Sequence, residues 1–161
     1  MEPTTLPIQI YPLKHAQVDE CVQIVDDLPL YQSYGFNGVQ AKQSLSFALK
    51  DDQSVLLTAE SDGQLMGYIW FIKKAAFARS GYIKQVAIRE THQQMGVGKQ
   101  LIRSIEELYL KPNGVLLLVE TKNIRAKRFY EKLGYREVGL IRDYVQPGKD
   151  ECIFYKSGIL Y

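Results

Sequence analysis

N-I-R-A-K-R-F-Y-E-K-L-G-Y, at Asn123–Tyr135, has a helix-capping residue at its head and a glycine one residue from its end. Asn123 and Tyr130 are seven residues apart, so both fall on one side of a helix. At 1.5 Å per residue they stand about 10 Å apart. A polar cap and a phenol so placed suit an elongated ligand. They equally suit a plain N-cap and a core aromatic, and only the flanking sequence decides between the two.

Upstream, Val115–Glu120 is an apolar run of the kind found in a strand covered on both faces. Before it, Gly96–Leu110 places Leu101, Ile102, Ile105, Leu108 and Tyr109 at helical spacing, and Lys111-Pro112-Asn113-Gly114 stops that helix. Ahead of the helix lies a strand at Gly81–Ile88. Val55–Glu60 and Leu65–Lys73 are strands joined by the hairpin signal Ser61-Asp62-Gly63, with a turn at Asp51-Asp52-Gln53 before them. Further back come a strand at Ile8–Tyr11 and a helix at Ala16–Asp27, built on Val18, Cys21, Val22 and Val25 and ended by Pro29. Tyr31–Gly38 reads as an aromatic loop. A weaker helix follows at Val39–Lys50, using Leu45, Phe47 and Leu49. Downstream, two strands at about Arg136–Tyr144 and Glu151–Lys156 flank the turn Gln146-Pro147-Gly148-Lys149. The order β-α-α-β-β-β-α-β-α-β-β predicts an α/β, mixed α+β fold: one sheet with helices on its faces.

Composition narrows the classes. A chain of 161 residues is expected to be a single domain, 1–161, with a full core. Its net charge of +2 is too small to argue for nucleic acid or an anionic membrane surface. No apolar run approaches a membrane-spanning length, and the N-terminus shows no signal pattern. Cys21 and Cys152 lack C-x-x-C spacing, which argues against a disulfide scaffold or a metal site. A reduced, cytoplasmic setting is expected.

Between the strand and the long helix lies Gln93-Gln94-Met95-Gly96-Val97-Gly98-Lys99. Glycines let the backbone approach a ligand closely. The first amides of a helix have no internal partner and carry the positive end of its dipole. Together they suit a phosphate or pyrophosphate; a ligand-free entry loop is the competing reading. The segment is no dinucleotide fingerprint, because position 101 is leucine rather than a third glycine. It is no Walker loop either, since G-x-x-x-x-G-K-[ST] is absent.

Gln93, Gly96 and Gly98 fill Q/R-x-x-G-x-G, and Asn123, Ala126, Phe129, Tyr130, Gly134 and Tyr135 fill N-x-x-A-x-x-F-Y-x-x-x-G-F/Y. In these two motifs, in order and with one strand between them, the chain resembles the GNAT N-acetyltransferases. The resemblance covers about residues 55–156, the first 50 matching only in having a strand and two helices. It implies a mixed, mainly antiparallel, twisted sheet of about seven strands flanked by about four helices. It implies acetyl-CoA as cosubstrate, no metal, and transfer of the acetyl group to a primary amine by direct attack. The acceptor is expected to be a small-molecule amine or a peptide N-terminus. Nucleic acid and membrane are not expected as partners; a homodimer is the one macromolecular assembly entertained. A non-catalytic acyl-CoA-binding or sensing module is the alternative.

By the same resemblance, Tyr130 corresponds to the family's general acid near the coenzyme sulfur, and Asn123 to the residue that binds the pantetheine arm. Val86, Ala87 and Ile88 lie on the strand whose backbone pairs with that arm. Gln93, Gln94, Met95, Gly96, Val97, Gly98 and Lys99 form the pyrophosphate loop. Tyr144 and Asp143, on the last hairpin, are substrate-side candidates. Tyr144 is similar to a tyrosine of the ribosomal-protein N-terminal acetyltransferases, although a second, adjacent tyrosine is replaced by Val145. The base is where the chain departs: family members often carry a carboxylate where this chain has Lys84 and Gln85, which leaves Glu120. A lysine-like amine with pKa about 10.4 carries a deprotonation penalty of roughly 4.6 kcal/mol at pH 7, and an α-amine with pKa about 8 only about 1.4 kcal/mol. A weak base therefore favours an α-amine acceptor.

Overall fold

The computed structural model describes residues 7–159. Its strands are β1 (Gln9–Pro12), β2 (Ser54–Ser61), β3 (Gln64–Ala76), β4 (Ser80–Ile88), β5 (Val115–Glu120), β6 (Arg136–Gln146) and β7 (Lys149–Lys156). Its α-helices are α1 (Val18–Asp27), α2 (Pro29–Ser33), α3 (Gly38–Ala48), α4 (Val97–Tyr109) and α5 (Ile124–Lys132). The sheet order is β1-β2-β3-β4-β5-β7-β6. β5 runs parallel to β4 through Gly81↔Val115 and Ile83↔Leu117, and antiparallel to β7 from Val115↔Lys156 to Glu120↔Glu151. The result is the expected mixed, mainly antiparallel seven-stranded sheet, with one short helix beyond the four expected.

By its contacts the chain divides into two compact units, Met1–Trp70 with Gln85–Ser104, and Phe71–Lys84 with Ile105–Tyr161. In the first, α1 buries Val18, Cys21, Ile24 and Val25 along one stripe, and α3 buries Ala41, Leu45 and Ala48. The hairpin between β2 and β3 turns on Asp62 and Gly63, both at positive φ (50° and 71°), which matches a two-residue turn that twists with its strands. In the second unit, Val115, Leu117 and Val119 of β5 are buried while Leu116 and Leu118 are only partly so. The apolar run thus conceals an alternation. Phe71 stacks on Tyr109 at 5.1 Å, and Pro147-Gly148 closes the β6–β7 hairpin with Gln146 facing Lys149.

Four expectations need correction. Tyr31–Gly38 is not simply a loop: Pro29 does not only end α1 but starts α2, as its fixed φ allows at a first helical position. Phe47 does not face the core; it is 74% exposed, and Ala48 takes the inward position. On α4, Leu108 is 64% exposed whereas Glu106 is buried. Glu151, at a strand end where an acid is ordinarily solvated, is 4% exposed.

Candidate active site

The first unit holds β4's C-terminal half and the glycine loop. The Arg89 N–H donates to the Met66 carbonyl at 2.8 Å, which directs the odd-numbered backbone groups of this segment toward β3. Backbone groups alternate along a strand, so Val86 and Ile88 present theirs on the opposite edge. Ala87 turns its backbone to β3, and its side chain is fully buried. Of the three predicted strand residues, two therefore direct their backbone groups away from β3. Their carbonyls are already engaged by side chains that no local sequence signal links to them: Tyr31 Oη donates to the Val86 carbonyl at 3.2 Å, and Gln93 Nε2 to the Ile88 carbonyl at 3.3 Å. Gln85 turns inward and accepts from Tyr68 Oη at 2.7 Å.

In the loop, Gln94 and Gly96 adopt positive φ (63° and 83°). A side chain at Gly96 would meet nothing within 4 Å, so this glycine serves conformation and open space rather than packing. The first helical bond of α4 runs from the Gln100 N–H to the Gly96 carbonyl at 3.1 Å. The N–H groups of Val97, Gly98 and Lys99 consequently have no helical acceptor. Val97 anchors the turn with a buried side chain, while Gln94, Met95, Gly96 and Lys99 are exposed. Three amides at the start of a 13-residue helix, beside open space, suit an anionic phosphate. Gln93, half-buried, braces the loop against the strand.

In the second unit, Asn123 caps α5: its Oδ1 accepts from the Ala126 N–H at 3.1 Å. The cap uses the side-chain oxygen, and the side-chain NH2 is the group with which a ligand carbonyl would pair. Tyr130 lies near the end of α5, its ring 5.1 Å edge-on from Phe129 and 5.9 Å from Tyr135. The residue keeps some accessible surface, yet dense surroundings push its phenol well above the ordinary 10.0. It stays neutral at neutral pH, a donor rather than an anion. Burial also pushes the Tyr82 phenol up to about 12, with Tyr144 and Glu151 adding in the same direction.

Those neighbours gather the remaining candidates. Glu120, half-buried, stands directly opposite Glu151 in the β5–β7 ladder, and directly opposed side chains have Cβ atoms about 5 Å apart. Sequence reading did not place Glu151 in the site; only the β5–β7 register brings it beside Glu120. Tyr144 is exposed. Asp143 is committed to its own turn: its N–H donates to Asp150 Oδ1 and its Oδ1 accepts from the Gly148 N–H. Burial alone lowers the Lys84 ammonium from its ordinary 10.5. Among the described residues no group of His, Cys, Asp and Glu could hold a metal ion. No helix there is long and apolar enough to cross a membrane.

Comparison with known proteins bears on the family and the fold. An uncharacterised N-acetyltransferase of Methanocaldococcus jannaschii is 31% identical over 102 residues, 62% of this chain and 64% of that protein. The chain thus spans slightly under two thirds of that relative. An N-alpha-acetyltransferase of Sulfurisphaera tokodaii is 29% identical over 115 residues, 63% of this chain and 68% of that protein. In fold, yncA of Salmonella typhimurium, solved with acetyl-CoA, superposes with a TM-score of 0.77 at 16% identity, covering 96% of this chain and 95% of its own. The profile of the Acetyltransferase (GNAT) family matches residues 21–135, reaching further toward the N-terminus than the two motifs do. That segment is more than half of the chain and holds both the glycine loop and the Asn123–Tyr135 helix: the chain belongs to the GNAT acetyltransferase family.

Proposed function

We propose that this acetyltransferase moves an acetyl group from acetyl-CoA to a primary amine, with the α-amine of a peptide as the favoured acceptor. The observation that carries this is the loop: three helix amides without a helical acceptor, Val97 to Lys99, following a strand whose Val86 and Ile88 backbone groups point away from β3. Bound acetyl-CoA supplies the acetyl thioester. The loop amides hold the pyrophosphate and the Val86 and Ile88 backbone groups orient the pantetheine arm; the role of the Asn123 side-chain NH2 toward that arm is carried over from the family resemblance. Glu120, with Glu151 beside it, takes the proton that the amine loses as its nitrogen bonds to the carbonyl carbon and the carbon–sulfur bond breaks. Tyr130 hydrogen-bonds the departing sulfur.

A magnitude refines the last role. A thiol has a reference pKa of about 8.5 and a phenol about 10, so full proton transfer to the thiolate is uphill by roughly 2 kcal/mol. Burial of Tyr130 adds to that cost. Tyr130 therefore acts chiefly by donating a hydrogen bond to the developing thiolate, an interaction of about 1.5–3 kcal/mol. The α-amine preference is supported by the lack of a carboxylate on β4 and by the N-alpha-acetyltransferase among the relatives. Tyr144 and Tyr82 would line the acceptor side, with Asp143 shaping the turn beneath. The two free cysteines suit a reducing, cytoplasmic setting.

The test compares kcat/KM for a peptide carrying only a free α-amine with that for the same peptide N-blocked and carrying one lysine. We expect the α-amine peptide to be faster by tenfold or more. Faster turnover of the lysine peptide removes the α-amine assignment.

A further inference from the structure

The Lys156 ammonium has three N–H donors, and all are spent inside the second unit. Nζ donates to Glu106 Oε2 at 2.6 Å and Oε1 at 3.1 Å, and to the Leu133 carbonyl at 2.8 Å. The pair is shielded: the two side chains are 19% and 5% exposed. This explains why α4 turns Glu106 inward and leaves Leu108 outside. Leu133 is the C-cap of α5, where a cation meets both an orphan carbonyl and the negative end of the helix dipole. The same ammonium lies 5.7 Å from the centre of the Tyr135 ring. Between Leu133 and Tyr135 the chain turns at Gly134, at a φ of 96°, where a Cβ would come within 3.3 Å of Lys156 Cε. The turn is thus wrapped around the lysine.

That turn leads straight back to Tyr130. The Leu133 and Tyr135 N–H groups both donate to the Tyr130 carbonyl, at 3.0 and 3.1 Å. The Tyr135 ring meets the Tyr130 ring edge-on at 5.9 Å. One shielded ammonium therefore fixes the helix end that carries the phenol and the aromatic ring that abuts it.

We infer that Lys156, held by Glu106, is a positioning residue that sets the Tyr130 phenol for transfer; this rests on the assignment of Tyr130 as donor to the leaving sulfur. Lys156 touches no reacting atom. It acts through the α5 C-terminus and Tyr135. An uncharged replacement of similar length that leaves the backbone fold intact would let the phenol wander, lowering kcat while the loop and strand that bind acetyl-CoA are unaffected.

Removing one partner alone strands a buried charge, so the test uses the paired replacement Lys156→Met with Glu106→Leu, alongside Tyr130→Phe and the combination of all three. The paired variant should keep a cooperative unfolding transition and a KM for acetyl-CoA within twofold, with kcat down about tenfold. On the Tyr130→Phe background it should change kcat by less than twofold, the signature of action through the tyrosine. The Tyr130 ring resonances, assigned by their loss in Tyr130→Phe, should shift or broaden in the paired variant. Unmoved resonances, wild-type kcat, or a tenfold loss repeated on the Phe background each overturn the inference. If Tyr130→Phe itself turns over like wild type while the resonances still move, the donor role of Tyr130 fails and the structural clamp stands.

Discussion

Replacing Gly67 with alanine should weaken coenzyme binding although residue 67 touches no ligand. Gly67 lies in β3, where an added methyl would stand 2.6 Å from the Ala87 carbonyl oxygen, 2.8 Å from Ile88 Cδ1 and 3.1 Å from Ile88 Cα. Two of those atoms are backbone of β4. Ordinary contact begins at 3.4 Å, so the strands must part by about 0.8 Å locally, the difference between 3.4 and 2.6 Å. Overpacking of this kind destabilises by about 1–3 kcal/mol. The displaced segment is the one that presents Val86 and Ile88. Losing good geometry in two hydrogen bonds, each worth about 0.5–1.5 kcal/mol, weakens coenzyme A by about 5- to 160-fold. Titration calorimetry measures the affinity, and urea unfolding the stability. Gly63→Ala is the control: at a φ of 71° with nothing within 4 Å, it carries a left-handed backbone cost of about 1–2 kcal/mol far along the hairpin from Val86. It should lose stability and keep full affinity. If Gly67→Ala is destabilised yet binds coenzyme A like wild type, the strand-edge account of binding is wrong.

Asn123→Ser keeps a capping oxygen and removes the NH2, so thermal stability should hold while KM for acetyl-CoA rises about fivefold, one hydrogen bond's worth; an unchanged KM would reduce Asn123 to a cap. Alkaline pH should unfold the protein. Burial, helped by the Glu20 carboxylate, holds the Cys21 thiol at about 12 against 9.0, and burial with Tyr144 and Glu151 holds Tyr82 at about 12 against 10.0. Folded values above unfolded ones give stability that is complete below pH about 9 and lost as pH rises toward 12, up to about 4 kcal/mol for the thiol at 1.36 kcal/mol per unit. Melting temperature should fall across that window, less so in Cys21→Ala; a flat profile from pH 9 to 11.5 would contradict it.

What the sequence disclosed and what it withheld divide by range. The α5 helix, its Asn123 cap and the loop at Gly96 were readable because each depends on neighbours within a few residues. The inward turn of Glu106 was not, because its cause is Lys156, fifty positions later. Leu108 sits at the helical spacing of the core face, and nothing local in the sequence sets it outside. Nothing local in the sequence sets Gly67 apart from other strand glycines; its crowding comes from β4. Glu151 looked solvated until the β5–β7 register set it against Glu120, and Tyr31 could not be linked to the Val86 carbonyl from fifty-five residues away. The parts that shape the candidate site most finely are the ones fixed by tertiary contacts.

Transfer of acetyl groups to amines is the reaction proposed for this chain. Thiol release from acetyl-CoA, followed with a peptide α-amine, a lysine ε-amine and a polyamine, tests it most directly. Release should be amine-dependent, fastest with the α-amine and reduced about 10- to 160-fold in Tyr130→Phe, the range of a hydrogen bond to a charged group. Coenzyme A binding with no amine-dependent release from any acceptor would contradict it and leave a binding module in its place.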